Sequence, residues 1–379
     1  MTSNSTAAFL YPDYIIDGVR MENSPYEMLE AACGRAPRAD VPAGPEPVVD
    51  ECLDPDPADG QFDRDRLAAY AAAVTAALKK ERPIPFAYAA PLTRGRLAAS
   101  LIDTLWQKGH YRISDISLEA AWRWNGEPVG SMAAFYASVE AACEYLDALG
   151  IRLDRYSVTP APRSGVAFSA AVSGVPETAL IDELPFRTVN PRMSRWRRCP
   201  GRIVGKDSGW LVYIPFDSCG FRLGGSVLSA ATGIPCGKAV ETADPDYFID
   251  CFEVVRELVE DGIVLSAVTV GAGGLLSGLC RILTADCGIR ADLSGICRSY
   301  GEKDIIPVLF GEVPGAILEI GDADYDYVDA ELLLQDVAYY PLGHPDHKLR
   351  DIRITDSDAW GLAGILQSLL SAPASEGED

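Results

Sequence analysis

The run "IVLSAVTVGAGGLLSGL", residues 263–279, joins an unbroken apolar strand to a three-glycine turn and a helix of small residues. Glycines at such a junction let helix and strand pack closely and leave backbone N–H groups able to face an anion. This commits the surrounding chain to helices layered on a sheet. From the end of the strand onward, however, the only polar side chains are Thr269 and Ser277. A turn with this backbone and no ionisable group can pack and can hold phosphate, but it has nothing with which to move a proton.

The rest of the chain sorts around this turn. Residues 1–82 read as an extension. Its stretch "GRAPRADVPAGPEPVVDECLDPDPADG" has too few large apolar groups to offset its ordering entropy, so a linker or a strap on another surface is expected. "FDRDRLAAYAAAVTAALKK" then reads as a helix, acidic at its start and basic at its end. A first domain is expected over residues 83–218. It comprises an extended "IPFAYAA", helix "RGRLAASLIDTLWQK", strand "YRISDISLE", helix "SMAAFYASVEAACEYLDAL", strands "IRLDRYSVT" and "GVAFSAAVS", and a closing strand "GWLVYIPF". A second is expected over residues 219–371, running from helix "DYFIDCFEVVRELVEDG" through the glycine turn to a last helix ending near Leu370. Residues 372–379 read as a disordered tail. The fold class is α+β: two layered domains with an N-terminal extension.

Charge narrows the partners. A formal charge of −22 over 379 residues would repel a phosphate backbone, so nucleic acid is excluded as a partner. No run approaches the roughly 18 consecutive apolar residues of a membrane span. "MTSNSTAAFLYPDY" lacks the flank and core of an export signal, so a cytoplasmic location is expected. Ten cysteines contain no C-x-x-C pair. Cys143, Cys251, Cys280, Cys287 and Cys297 sit within or beside apolar segments and read as reduced thiols rather than metal ligands. The pair His344 and His347, broken by Pro345, reads as a surface turn, and no metal site is assigned.

The order of several pieces carries more than any one of them. "FRLGGS" (221–226), "DPDYFIDCFEVVRELVEDGIVLSA", "GAGGL" (271–275) and "LFGEVPGAILEI" (309–320) resemble, in order and approximate spacing, the second synthetase half of large phosphoribosylformylglycinamidine synthases. That family belongs to the aminoimidazole ribonucleotide synthetase-like superfamily. "RGRLAASLIDTLWQKGHYRISDISLEAAWRW" is similar to the family's helix and strand before an S-x-N-W turn, and the resemblance covers roughly residues 85–370. It implies a barrel-forming N-terminal domain, a layered α/β C-terminal domain covering it, and nucleotide in the cleft between them. The implied reaction is the ATP-dependent conversion of an amide to an amidine in purine synthesis, fed with ammonia by a glutaminase. Since the resemblance finds neither a first synthetase half nor a glutaminase here, the chain is expected to be one subunit of a split enzyme or a degenerate relative. The alternative is a non-catalytic nucleotide-binding or protein-interaction scaffold. A homodimer, or pairing with a related half or a glutaminase subunit, is expected with either.

Set against the family's S-x-H-D-x-S-x-G-G-L turn, Ser266, Gly273, Gly274 and Leu275 match, while Val268 stands at the histidine and Thr269 at the aspartate. Neither can do acid–base work or hold Mg²⁺ strongly, so no catalytic residue is assigned and magnesium is doubtful. A G-K-D-S motif is missing after the long helix, where "RLDRYSVTPAP" offers only Asp154 and Arg155; the "GKDS" at 205–208 reads as an ordinary turn. Candidate contacts to ATP or ADP are Gly224, Gly225, Ser226, Gly271, Gly273, Gly274 and Glu312. For Gly224, Gly225 and Ser226 a simple helix cap fits equally, and for Glu312 a solvated carboxylate. The arginines Arg187, Arg192, Arg195, Arg197, Arg198 and Arg202 could hold a phosphate, pair with an acidic subunit, or form a solvated loop. Trp122 and Trp124 alternate as on a strand with one covered face.

Overall fold

The computed structural model describes residues 8–37, 46–109, 111–172, 199–204 and 209–355. Outside them fall the expected last helix and tail, the "GKDS" turn, and Arg187, Arg192, Arg195, Arg197 and Arg198. In the extension, β1 (Tyr14–Ile16) lies between antiparallel β2 (Val19–Arg20) and, later in the chain, a parallel strand at Val48–Asp50. Between these, α1 (Pro25–Ala32) starts with a capping box: the Ser24 side chain accepts the Glu27 N–H and the Glu27 carboxylate accepts the Ser24 N–H. The strand Val48–Asp50 is β3. Leu10, Tyr14 and Leu29 are fully buried. The extension is thus a strap held by side chains that flank its Pro- and Asp-rich middle.

After α2 (Leu67–Leu78), a 3-10 turn at Phe86–Tyr88 runs directly into α3 (Ala89–Gln107). The stretch expected to be extended is therefore helical in its second half, because Pro85 pre-sets the entry and the alanines after it favour helix. β4 (Ile116–Trp124) leads to α4 (Ser131–Ala148), which crosses over to β5 (Arg152–Pro160), parallel to β4; β6 (Gly165–Val172) pairs antiparallel on the other side. Trp122 and Trp124 are both buried on the same face of β4, and the Trp124 indole N–H donates to the Ser131 carbonyl at 2.9 Å. On the opposite face Arg123, Arg155, Ser157, Ala167 and Ser169 are exposed and Arg155 pairs with Glu119, so that face is polar and charged rather than apolar.

Asp50, at the end of β3, is what docks the strap. Its carboxylate accepts the N–H groups of Gly130 (2.9 Å), Met132 (2.7 Å) and Ala133 (3.1 Å), donors that the start of α4 would otherwise leave unpaired. Burial alone would raise its pKa, but the backbone N–H bonds outweigh burial and hold the carboxyl below its ordinary value. Asp50→Ala should cost about 1–2 kcal/mol, the worth of a good N-cap. A folded pKa below the unfolded one means this stabilisation is complete above pH about 4 and lost as pH falls through the depressed folded value. Urea midpoints of both proteins across pH should show that gap close in acid. A gap that stays constant down to the lowest pH would disprove the capping role.

The remaining elements are β7 (Gly209–Pro215), α5 (Val227–Thr232), α6 (Pro245–Glu260), β8 (Val264–Val270), α7 (Gly274–Ile282), β9 (Gly288–Ala291), α8 (Ser294–Tyr300), α9 (Ile305–Phe310), β10 (Gly315–Gly321), α10 (Tyr325–Leu334), β11 (Tyr340–Gly343), β12 (Pro345–Asp346) and β13 (Ile352–Ile354). A four-stranded antiparallel sheet has the order β11-β7-β10-β8, and a smaller sheet the order β12-β9-β13. β7, expected to close the first domain, is instead an inner strand here, paired along its whole length with β10. The reason lies in its two apolar faces. Val212 and Ile214 enter one core, Leu211 and Tyr213 the other, and only a strand covered on both sides can bury both sets.

One core runs from the strap through α3, α4 and α6 to the near face of this sheet, and so crosses position 218 without a break. The other lies under α5, α7 and α9 on the far face. Cys251, Cys280 and Cys287 are buried and Cys143 and Cys297 half-buried, none of them in a disulfide. Among the described residues no helix is long and apolar enough to cross a membrane.

Candidate functional site

A cavity of ≈ 760 Å³ opens where α3, the segment before α5, and the glycine turn meet. Its size suits a small organic ligand. Of the candidate residues, Gly224, Gly225, Ser226, Gly271 and Glu312 line it together, whereas Gly273 and Gly274 stand behind the wall.

The turn's side chains are all engaged within the protein. Ser266 donates its hydroxyl to the buried Glu319 carboxylate at 2.6 Å, which also accepts the Val204 N–H at 3.0 Å. Val268 points into the far core and pairs across the sheet with Ile317, so the position matching the family's histidine is packing. Thr269 faces α3: it accepts the Trp106 indole N–H at 2.9 Å and donates to the Asp103 carboxylate. Its carbonyl accepts from the Arg281 guanidinium. Burial pushes the Asp103 carboxyl up, against the Thr269 hydrogen bond and the Arg281 charge. Thr269 thus ties the half-buried Asp103 carboxylate to the Arg281 guanidinium, which is itself exposed at the surface.

Glu312 is the organising residue. Its carboxylate accepts the Gly273 N–H at 2.8 Å and the Val227 N–H at 2.9 Å and lies 3.7 Å from the Arg82 guanidinium. The anion that the glycine turn addresses is therefore the protein's own. Ser226 caps α5 by accepting the Ser229 N–H at 3.2 Å. Gly224 backs onto the 237–238 backbone, where an added Cβ would lie 2.4 Å from the Gly237 carbonyl oxygen.

Three carboxylates reach the cavity, Glu81, Asp103 and Glu312. Glu312 and Asp103 are bonded as above, and Glu81 accepts from Arg123 at 2.6 Å. Among the described residues no three His, Cys, Asp or Glu side chains gather as metal ligands. This donor set does not fit a magnesium ion held by protein carboxylates.

Sequence reasoning missed the cavity's cations and one hydroxyl. Lys80, Arg82, Arg96, Arg163 and Arg222 line it, coming from four separate stretches of the chain. Thr242 also lines it; it is 0% exposed and its hydroxyl has no hydrogen-bond partner among the described residues. No local pattern announces either. Arg202 is not among the lining residues.

No protein-family model matches the chain. Human phosphoribosylformylglycinamidine synthase is 26% identical over 218 residues, which make up 56% of this chain and 15% of that protein. Thermotoga maritima PurL complexed with FGAR superposes with a TM-score of 0.55 at 12% identity, over 93% of this chain and 56% of that one. The T. maritima PurL complexed with AMPPCP reaches a TM-score of 0.49 at 13% identity, over 77% of this chain and 43% of that one. The chain therefore spans about half of the PurL structure and a small part of the human relative, shares the PurL fold, and bears out the resemblance to phosphoribosylformylglycinamidine synthase.

Proposed function

We propose that this chain is a phosphoribosylformylglycinamidine synthase-like half of purine biosynthesis that keeps the ligand cleft and has lost the groups for phosphoryl transfer. The observation that carries this is the turn itself. Its backbone lies at the cleft, while Val268 is core and Thr269 is bound to Asp103 and Trp106. A ligand fits the cleft's size, and the partnerless Thr242 hydroxyl, costly if left unpaired, supports an occupant. The ligand in this reading is ATP or ADP, held rather than turned over, and activity would require a complementary synthetase half and a glutaminase.

Pairing through the sheet β5-β4-β6, with itself or a related half, fits the edges at β5 and β6, which are unpaired among the described residues. Equilibrium dialysis of the purified chain with ATP and ADP should show micromolar binding, with ATP recovered intact. Failure to retain either nucleotide under any metal condition, or steady hydrolysis by the chain alone, would refute this reading.

A further inference from the structure

We propose that the cleft takes its phosphate-bearing ligand as the free anion, with guanidinium groups standing where a chelated magnesium ion would otherwise neutralise the phosphates. This rests on the reading of the cleft as a retained ligand site and departs from a magnesium-nucleotide site in its chemistry. In a chain of formal charge −22, the cleft is lined by five cations, Lys80, Arg82, Arg96, Arg163 and Arg222. The three carboxylates that line it are already bonded within the protein, so none is left to hold a metal.

Arg96 is the clearest case. It projects from α3, and among the described residues its guanidinium donates to neutral groups, the Val166 carbonyl at 3.1 Å and the Arg82 carbonyl at 3.4 Å. Burial, and then the neighbouring Arg82 charge, pull its pKa down to about 10, with Glu312 opposing. A cation placed this way is under-compensated until an anion arrives, and a planar fork suits phosphate oxygens.

Thr242 supplies an independent observation. Its fully buried hydroxyl has no partner among the described residues, and the residue lines the same cavity. A phosphate oxygen accepting from it would remove the penalty of leaving it unpaired. A magnesium chelate would bring added positive charge into a cleft already rich in it.

The test is calorimetric titration of the full chain with ADP and with inorganic pyrophosphate, at matched ionic strength, once in EDTA and once with saturating Mg²⁺. The free anions should bind about tenfold or more tighter than their chelates, and Arg96→Met should lose about tenfold in affinity for the free anion, the worth of one charge-assisted hydrogen bond. Because Arg96 is half-buried and bonded to two backbone carbonyls, Arg222→Ala on the exposed rim serves as the second variant; it gives up a 3.5 Å surface ion pair with Glu302, so it should weaken the free anion several-fold with little change in melting temperature. Equal or tighter binding of the chelates overturns the metal-free proposal and leaves the cleft reading intact. No heat with any form removes the cleft reading as well, and unchanged affinity in both variants places the ligand elsewhere and overturns the proposal.

Discussion

Phe248→Ala should lower the unfolding free energy by roughly 3–5 kcal/mol, the usual cost of emptying a large aromatic site in a core. Phe248 is 0% exposed, and its ring centroid lies 5.5 Å from Phe216, 6.2 Å from Tyr145 and 6.2 Å from Phe252. Those neighbours belong to the end of β7, to α4 and to α6. The cavity would therefore open where the first sheet's helices meet the four-stranded sheet. Rigid elements on three sides cannot collapse into it, which puts the cost at the upper part of the range. Since domains of this kind have only about 5–15 kcal/mol to lose, the variant should accumulate poorly and melt well below the parent. Guanidinium titration followed by circular dichroism measures this directly. A loss under 1 kcal/mol would mean that the core is not continuous across position 218.

Gly274→Ala should be almost as damaging, although it adds one methyl group. Gly274 has φ +69°, which costs an L-residue about 1–2 kcal/mol. An added Cβ would also lie 2.6 Å from the Leu309 carbonyl oxygen and 2.8 Å from the Phe310 Cα, main-chain atoms that cannot step aside. Overpacking of this kind adds about 1–3 kcal/mol. Gly233→Ala is the control: φ is +68° but nothing lies within 4 Å of the added Cβ, so only the backbone cost remains. Denaturant curves of the two variants should differ by more than 1 kcal/mol; identical losses would show that the close approach of α7 to α9 carries no strain.

The sequence announced those parts of the fold whose signal is local. The apolar run of β8, the three glycines and the amphipathic α6 each read correctly from their own residues, because period and turn chemistry act within a few positions. β7 also reads correctly as a strand, but its place in the sheet does not; its composition shows that both faces are apolar, not that its neighbours are β10 and β11, 100 or more residues away. Asp50 was illegible for the same reason, since its partners at 130–133 lie 80 or more residues on. The site shows the sharpest contrast. The eye is drawn to the dense arginine run at 187–202, yet the cations that share the cavity come from four separate stretches, at 80 and 82, at 96, at 163 and at 222. Charge that folding concentrates need not be concentrated along the chain. Glu312 was found through its family position, but that its carboxylate accepts from two helix starts shows only in the fold.

That carboxylate makes the cleft hard to redesign. Arg82, Val227 and Gly273, from three separate stretches, converge on it. Giving Glu312 to an incoming ion would strip two amide donors and a guanidinium of their counterpart at one stroke, so an engineer wanting metal chemistry here must first build replacement acceptors. Each of those replacements, introduced by itself, adds negative charge or bulk with nothing yet to balance it. Any route from here to a metal-dependent catalyst therefore runs uphill at every single step, and the present arrangement behaves as a ratchet.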